Sequence, residues 1–222
     1  MYIDTHCHVF SEYYDDIEKV ISECKDNNVN RIIVNGCDIV SNKEVLELVN
    51  KYDIIYGAIG FHPTELDDFN DEYFSFLEEN INNSKIVAVG EIGLDYHYDD
   101  TDREKQNMAF RKQLDVAQKY NKPIIDSRDS IQDTYNILKE YNLKGSIHCF
   151  SGSVEMAREF IKLGYKIGIG GIITYKNAKT IKEVVKDTDL AYILLETDSP
   201  YLAPVPHRGE DNNPKYIPII AD

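Results

Sequence analysis

The sequence predicts an α/β fold, a (β/α)8 TIM barrel formed as one domain over residues 1–222. Three observations carry this. Short apolar runs alternate with amphipathic segments from one end of the chain to the other, which gives eight strand candidates. Runs such as "IIVNGC" and "ILLET" lack polar alternation, as strands of a parallel sheet covered by helices do. At 222 residues and 42% hydrophobic the chain can bury one core of this size, since α/β barrels of about 200–250 residues run as single units. A doubly wound open sheet is the competing arrangement.

The strands fall at 2–8, 31–37, 54–60, 86–92, 123–126, 145–150, 166–172 and 192–197. After the first, Ile17, Val20, Ile21 and Cys24 recur at i, i+3, i+4 and i+7, the stripe of a helix facing a core. Between the fourth and fifth, Phe110, Leu114 and Ala117 form a second such stripe. After the sixth, Ser153 before "VEMAREFIKLG" reads as an N-cap with Glu155 in the first turn, and Gly164 closes that helix. Behind the eighth strand the chain continues as "SPYLAPVPHRGEDNNPKYIPIIAD" and stops where a last helix would begin. That helix is short, supplied otherwise or missing, and we read it as truncated.

Lys and Arg total 24 against 39 Asp and Glu, a net charge of −15, which opposes indiscriminate binding to a phosphate backbone. Any nucleic-acid contact must be local. The cysteines Cys7, Cys24, Cys37 and Cys149 form no CxxC pair, and three lie in apolar runs that suit small buried thiols. No apolar stretch reaches the ~18–20 residues of a membrane span, and no signal-peptide pattern opens the chain. The expected protein is a cytoplasmic monomer in a reducing compartment.

In a TIM barrel the active site forms at the C-terminal ends of the strands, and polar residues collect there. In "YIDTHCHVF", His6 and His8 are two apart, so on a strand both project from one face, shared with Asp4, while Cys7 faces away. The third strand ends in "GFHP" with His62, and the fourth in "GEIGLDYH" with Glu91 and Asp95. The fifth ends in "DSRD" with Asp126, Arg128 and Asp129, the sixth in "IHCFSG" with His148, and the eighth in "ETDSP" with Glu196 and Asp198. Any one of these is more often a helix cap or a satisfied loop residue than a ligand. Together, the acidic members would repel one another unless a divalent cation lay between them. Imidazole suits Zn, and carboxylate oxygen suits Mg or Mn, so the ion's identity stays open. Glu91 is the candidate bridge between two ions. No Ser or Cys triad accompanies them, because Cys149 and His148 are neighbours on a strand and face opposite sides.

The motifs "DTHCH", "GFHP", "VAVGEIGLDYH", "IHCFSG" and "LLETDSPYLAP", with "HRGEDNNP" behind them, resemble the TatD-type metal-dependent deoxyribonucleases in order and spacing over essentially the whole chain. The resemblance implies a barrel that hydrolyses DNA phosphodiester bonds, as an exonuclease, with one or two divalent ions per chain. It implies metal ligation by His6, His8, Glu91, His148 and Asp198, with Asp126 standing where the family has a further ligand, and Glu91 and Asp198 as catalytic groups, Asp198 helping to take a proton from water. His62 matches a substrate-side position, with simple packing on Pro63 as the alternative. Arg128 and Arg208 are candidate phosphate contacts, and a structural salt bridge is equally open for each. Glu196 supports the ligands from behind.

The fifth strand departs from the family pattern. There an apolar run is usually followed by His-x-Arg-Asp, whereas "KPIIDSRDS" is one residue shorter and lacks that His. Asp126 takes its place as an oxygen donor, but a deletion flips side-chain direction unless the strand shifts or bulges. Two other readings share the same motifs. A metal-dependent ester or amide hydrolase, such as an aminoacyl-tRNA deacylase, would use the same activated water, and a degenerate barrel without the second ion would not be an enzyme.

Overall fold

Eight parallel strands lie in one sheet in the order in which the chain makes them. They are β1 (Tyr2–Cys7), β2 (Val29–Asn35), β3 (Ile55–Ile59), β4 (Ile86–Ile92), β5 (Ile124–Asp126), β6 (Gly145–Ile147), β7 (Tyr165–Ile169) and β8 (Ile193–Leu195). A doubly wound sheet would reverse its order at a switch point; sequential order gives a TIM-barrel-like arrangement instead. The computed structural model describes residues 1–66, 69–97, 102–126 and 130–222, with the side chains of 124–126 outside that description.

Helices α1 (Ile17–Asp26), α2 (Ile39–Lys51), α3 (Asp71–Asn80), α4 (Arg103–Lys119), α5 (Ile131–Leu138), α6 (Val154–Leu163), α7 (Lys179–Asp187) and α8 (Ile217–Ala221) follow the strands in turn. The stripes read from spacing are the faces they bury: Val20, Ile21 and Cys24 on α1, and Phe110, Leu114 and Ala117 on α4. Ser153 caps α6 by accepting from the Met156 amide at 3.3 Å, and Gly164 ends it at φ +97°, a left-handed conformation that costs a glycine little. The chain does carry a helix behind β8. It is five residues long and buries Ile217 and Ile220, packing against β1 and β8. Among the described residues no helix is long and apolar enough to cross a membrane.

Several strands stop earlier than expected, among them β6 at Ile147 and β8 at Leu195. Past these points the backbone turns into the left-handed region at Cys149 (φ 45°) and Asp198 (φ 56°). Strand alternation therefore cannot orient the residues that follow.

The arrangement is distorted where β8 returns to β1. A single bridge, Cys7 to Ser199, stands in place of a ladder. The His8 amide donates to Ser199 O at 2.7 Å and the Asp198 amide to His6 O at 2.9 Å. Beneath this seam lies Asp4, wholly buried. Its Oδ1 accepts from the Thr197 amide at 3.0 Å and the His6 amide at 3.2 Å, and its Oδ2 from the Thr197 hydroxyl at 2.5 Å. Burial pushes the Asp4 carboxyl up to about 8, against the opposing pull of the Thr197 hydroxyl and the two amides. Asp4 thus shares the histidine face but ties the seam together below the site. Asp4→Ala strands these buried donors, each worth about 1–3 kcal/mol, so urea denaturation should show a loss of about 3 kcal/mol. A loss below about 0.5 kcal/mol would contradict this role for Asp4.

Candidate metal centre

The period-two pair on β1 converges as its spacing requires. The Nε2 atoms of His6 and His8 stand 3.2 Å apart, both side chains being buried. The β1–β2 register slips between Asp4 and Cys7, beside His6, and the β4–β5 register slips between Val89 and Ile92, beside Glu91. Bulges of this kind re-aim side chains next to functional sites. His8 Nδ1 lies 3.0 Å from Asn35 O at the end of β2, which places a proton on that nitrogen and turns Nε2 toward His6.

Two carboxylates complete the group. Glu91 Oε2 lies 3.4 Å from His6 Nε2 and 3.9 Å from His8 Nε2. Asp198 Oδ1 lies 3.7 Å from His6 Nε2 and 3.4 Å from His8 Nε2. An ion with bonds of about 2.0–2.1 Å in tetrahedral geometry separates its ligands by about 3.3–3.4 Å. The observed spacings of 3.2–3.9 Å straddle that value, so the donor set fits a divalent cation. His148 extends the set: its ring stacks on His6 with centroids 3.5 Å apart, and its Nε2 lies 3.4 Å from Asp198 Oδ1. On the other side of Glu91, Oε1 faces His62 Nε2 at 3.6 Å.

Glu196 stands behind the histidine. Its Oε1 lies 3.0 Å from His148 Nδ1 and accepts from the Cys149 amide at 2.6 Å. A Cβ on Gly168 of β7 would come within 2.4 Å of Glu196 Oε2, so this glycine makes room for the carboxylate. The support role read for Glu196 matches this position.

Burial disfavours charge throughout the centre, yet attraction between its members decides most of the outcome. Glu91 and Asp198 are raised by burial, but the imidazoles outweigh it: His62 and His6 beside Glu91, and His148, His8 and His6 beside Asp198. Both carboxyls end well below the ordinary range. Burial lowers His8 and His148, and it is overcome by Cys37 and Asp198 at the first and by Glu196 and Asp198 at the second, so both rise. His6 falls, through burial and then the charge of His148. His8 and His148 hold the protons that balance the carboxylates, so binding a cation here must release protons.

The structure thus brings together His6, His8, Glu91, His148 and Asp198, with His62 beside them. The side chain of Asp126 and the whole of Arg128 lie outside the described residues. Arg208 does not line the cleft; its guanidinium lies over the Tyr175 ring at 4.6 Å. Asp95 is buried away from the group, its Oδ1 accepting from the His97 amide at 2.8 Å. One expectation is corrected. Cys149 does not face away from His148, because it sits past the end of β6 in a left-handed conformation, and ligand atoms of His148, Cys149 and Asp198 lie within 4.8 Å of one another. Cys37, read as a core thiol, lines the cleft instead, within 4.8 Å of ligand atoms of His8 and Glu91. Its signal in the sequence was its place at the end of the second strand, on the same rim as the histidines.

A cleft of about 800 Å³ opens over the centre. A parallel α/β arrangement with buried imidazoles and carboxylates converging at the C-terminal strand ends is the architecture of a metal-dependent hydrolase. The chain belongs to the TatD related DNase family, whose model matches residues 3–222. It is 42% identical over 227 residues to the uncharacterized metal-dependent hydrolase YabD of Bacillus subtilis, covering 100% of this chain and 89% of that protein. The crystal structure of the TatD homolog YjjV from Escherichia coli superposes with a TM-score of 0.94 at 35% identity, covering 99% of this chain and 87% of that one. A TatD family hydrolase from Entamoeba histolytica superposes at 0.85 with 26% identity, covering 99% and 89%.

Groups that orient a metal-binding histidine from behind are worth about 10–100-fold in metal affinity. Glu196→Gln should weaken zinc binding by that factor in calorimetric titration while the unfolding midpoint of the metal-free protein stays within a few degrees. Unchanged zinc affinity would show that Glu196 only fills space.

Proposed function

We propose that the chain is a divalent-metal-dependent deoxyribonuclease that hydrolyses phosphodiester bonds at DNA ends. The supporting observation is the convergence of the His6, His8, Glu91 and Asp198 donors, 3.2–3.9 Å apart under an open cleft from which water would complete a five-coordinate ion. A divalent ion held by these residues supplies Lewis acidity toward a phosphoryl oxygen and lowers the pKa of a water. Asp198, kept ionised by the imidazoles around it, orients that water and takes its proton. Glu91 presents one oxygen to each side of the centre, toward His6 and toward His62. His62, at the cleft wall, donates to a non-bridging phosphate oxygen. The sheet acts as a fully closed barrel that keeps these groups rigid.

The protein's net charge of −15 gives no broad basic surface, so the bound ion carries most of the phosphate attraction and contact with DNA stays local. We infer that a second ion, held by His148 and Glu91, binds more weakly than the first. Its third ligand depends on Asp126 in a fifth strand one residue shorter than the family pattern.

A second reading has its own observation. The cleft is lined by Glu12, Asp38, Glu44 and Glu65 as well as the centre, and among its described lining residues there is no lysine or arginine. Such a mouth suits a substrate that carries an ammonium group beside a hydrolysable ester, as an aminoacyl ester does.

Assays on end-labelled DNA, RNA and an aminoacyl ester separate the two. We expect release of nucleotides from DNA ends, abolished by exhaustive chelation and restored by added divalent ion. Hydrolysis of the aminoacyl ester alone would select the second reading, and cleavage that survives chelation would overturn both. Placing an apolar residue and a histidine between Ile125 and Ser127, in place of Asp126, should raise second-ion occupancy and the cleavage rate together. Two ions bound with equal affinity by the unaltered protein, with no gain from the insertion, would contradict the weak second site.

A further inference from the structure

Two of the four cysteines are wholly buried, as core thiols should be: Cys7, whose Sγ donates to Ile33 O at 3.3 Å, and Cys24 on α1. Cys37 differs. It is half-buried, lines the cleft, and turns its sulfur to site residues rather than to apolar side chains. Its Sγ lies 3.9 Å from Glu91 Oε2 and 3.9 Å from His8 Nδ1. Glu91 Oε2 is the same oxygen that stands 3.4 Å from His6 and 3.9 Å from His8.

The backbone holds this thiol in place from both sides. The Cys37 amide donates to Ser41 Oγ at 2.9 Å, inside the capping box that starts α2, and its carbonyl accepts from the His62 amide at 2.8 Å. Next to it, Gly36 O accepts from the Glu91 amide at 3.0 Å. The end of β2 is thereby fixed to the rim residues of β3 and β4 that face the centre.

We propose that Cys37 is a further ligand of the metal centre, on the Glu91 side, and that it tunes the site toward thiophilic divalent ions, zinc and cobalt, over magnesium. The proposal rests on the reading that His6, His8, Glu91 and Asp198 hold an ion. The thiol would be a fifth ligand beside His6, His8, Glu91 and Asp198, and with a metal–sulfur bond of about 2.3 Å and a metal–oxygen bond of about 2.0–2.2 Å a five-coordinate ion sets adjacent sulfur and oxygen about 3.1–3.8 Å apart. The observed 3.9 Å equals the wider of the histidine spacings to the same oxygen, so one ion reaches the thiol by the small contraction the other ligands also need. On ligation the S–H bond is lost, the sulfur keeps the electron pair and donates it to the ion, and the proton passes to solvent. Soft sulfur donors favour zinc-like ions and contribute little to magnesium. A fourth-strand carboxylate flanked by imidazole and thiolate therefore strengthens the first site, whatever becomes of the second.

Cobalt(II) titration of the full chain tests this by spectroscopy, independently of activity. Visible d–d bands report occupancy, and a near-ultraviolet sulfur-to-cobalt charge-transfer band reports thiolate ligation. The charge-transfer band should appear with the first equivalent, persist in Cys149→Ser and vanish in Cys37→Ser while the d–d bands remain. Competition should show zinc affinity reduced about tenfold or more in Cys37→Ser, with magnesium affinity changed less than twofold. Visible bands without a charge-transfer band, or a charge-transfer band lost in Cys149→Ser and kept in Cys37→Ser, would overturn the proposal and leave the metal reading intact. Absence of any cobalt band would overturn the metal reading itself, and this proposal with it.

Discussion

Charge buried at one end of a parallel sheet governs this molecule. An ionised carboxylate taken out of water costs several kcal/mol unless a partner offsets it, and here two of them, Glu91 and Asp198, share one buried rim. Asp198 has the His8 and His148 imidazole nitrogens each at 3.4 Å, and without a cation it is those two rings, both raised in pKa, that supply the positive charge. The balance is electrostatically complete but chemically exchangeable: an ion can replace the shared protons without moving the donors far. The coordinating geometry is therefore present before the ion arrives, which is what a site on rigid strand ends achieves.

The rest of the rim holds that geometry. Asp198 and Cys149 both adopt left-handed conformations, which cost about 1–3 kcal/mol each for residues other than glycine. They persist because the surroundings fix them: the Asp198 amide donates to His6 O, the Tyr201 amide to Asp198 O at 2.8 Å, and the Cys149 amide to Glu196. Asn212, also buried, extends this by donating to Thr197 O and Tyr201 O, both at 2.7 Å. The Pro-rich stretch after β8 is thus a brace for Asp198 as well as a connection. The seam between β8 and β1 depends on it, since among the described residues a single bridge, Cys7 to Ser199, pairs those edges in place of a ladder.

Much of this is legible in the sequence, for definite reasons. Strands buried on both faces leave apolar runs, so their placement survives to within a few residues. His6 and His8 are readable because a period of two is a geometric statement about one strand. Cys149 was misread because β6 ends at Ile147, and alternation predicts nothing beyond a strand's last residue. Cys37 escaped because one cysteine at the end of an apolar run looks the same whether it packs in a core or faces a cleft. Asp4 shows the deepest gap. Its partner Thr197 is 193 positions away, and no periodicity or motif connects them. Arg208 could be placed only by its neighbour, since stacking on Tyr175 leaves no trace in spacing.

The acidic cleft sets the substrate problem: with carboxylates at its mouth, attraction for a phosphodiester must come from the bound ion, whereas an ammonium-bearing ester would be drawn in by the protein itself. Both outcomes require that the convergent rim hold a cation. Crystals grown with zinc and measured across its absorption edge test that requirement most directly. The account predicts an anomalous peak within bonding distance of His6 Nε2, His8 Nε2, Glu91 Oε2 and Asp198 Oδ1. No peak among those four atoms at saturating zinc, with the side chains still paired to one another, would contradict it.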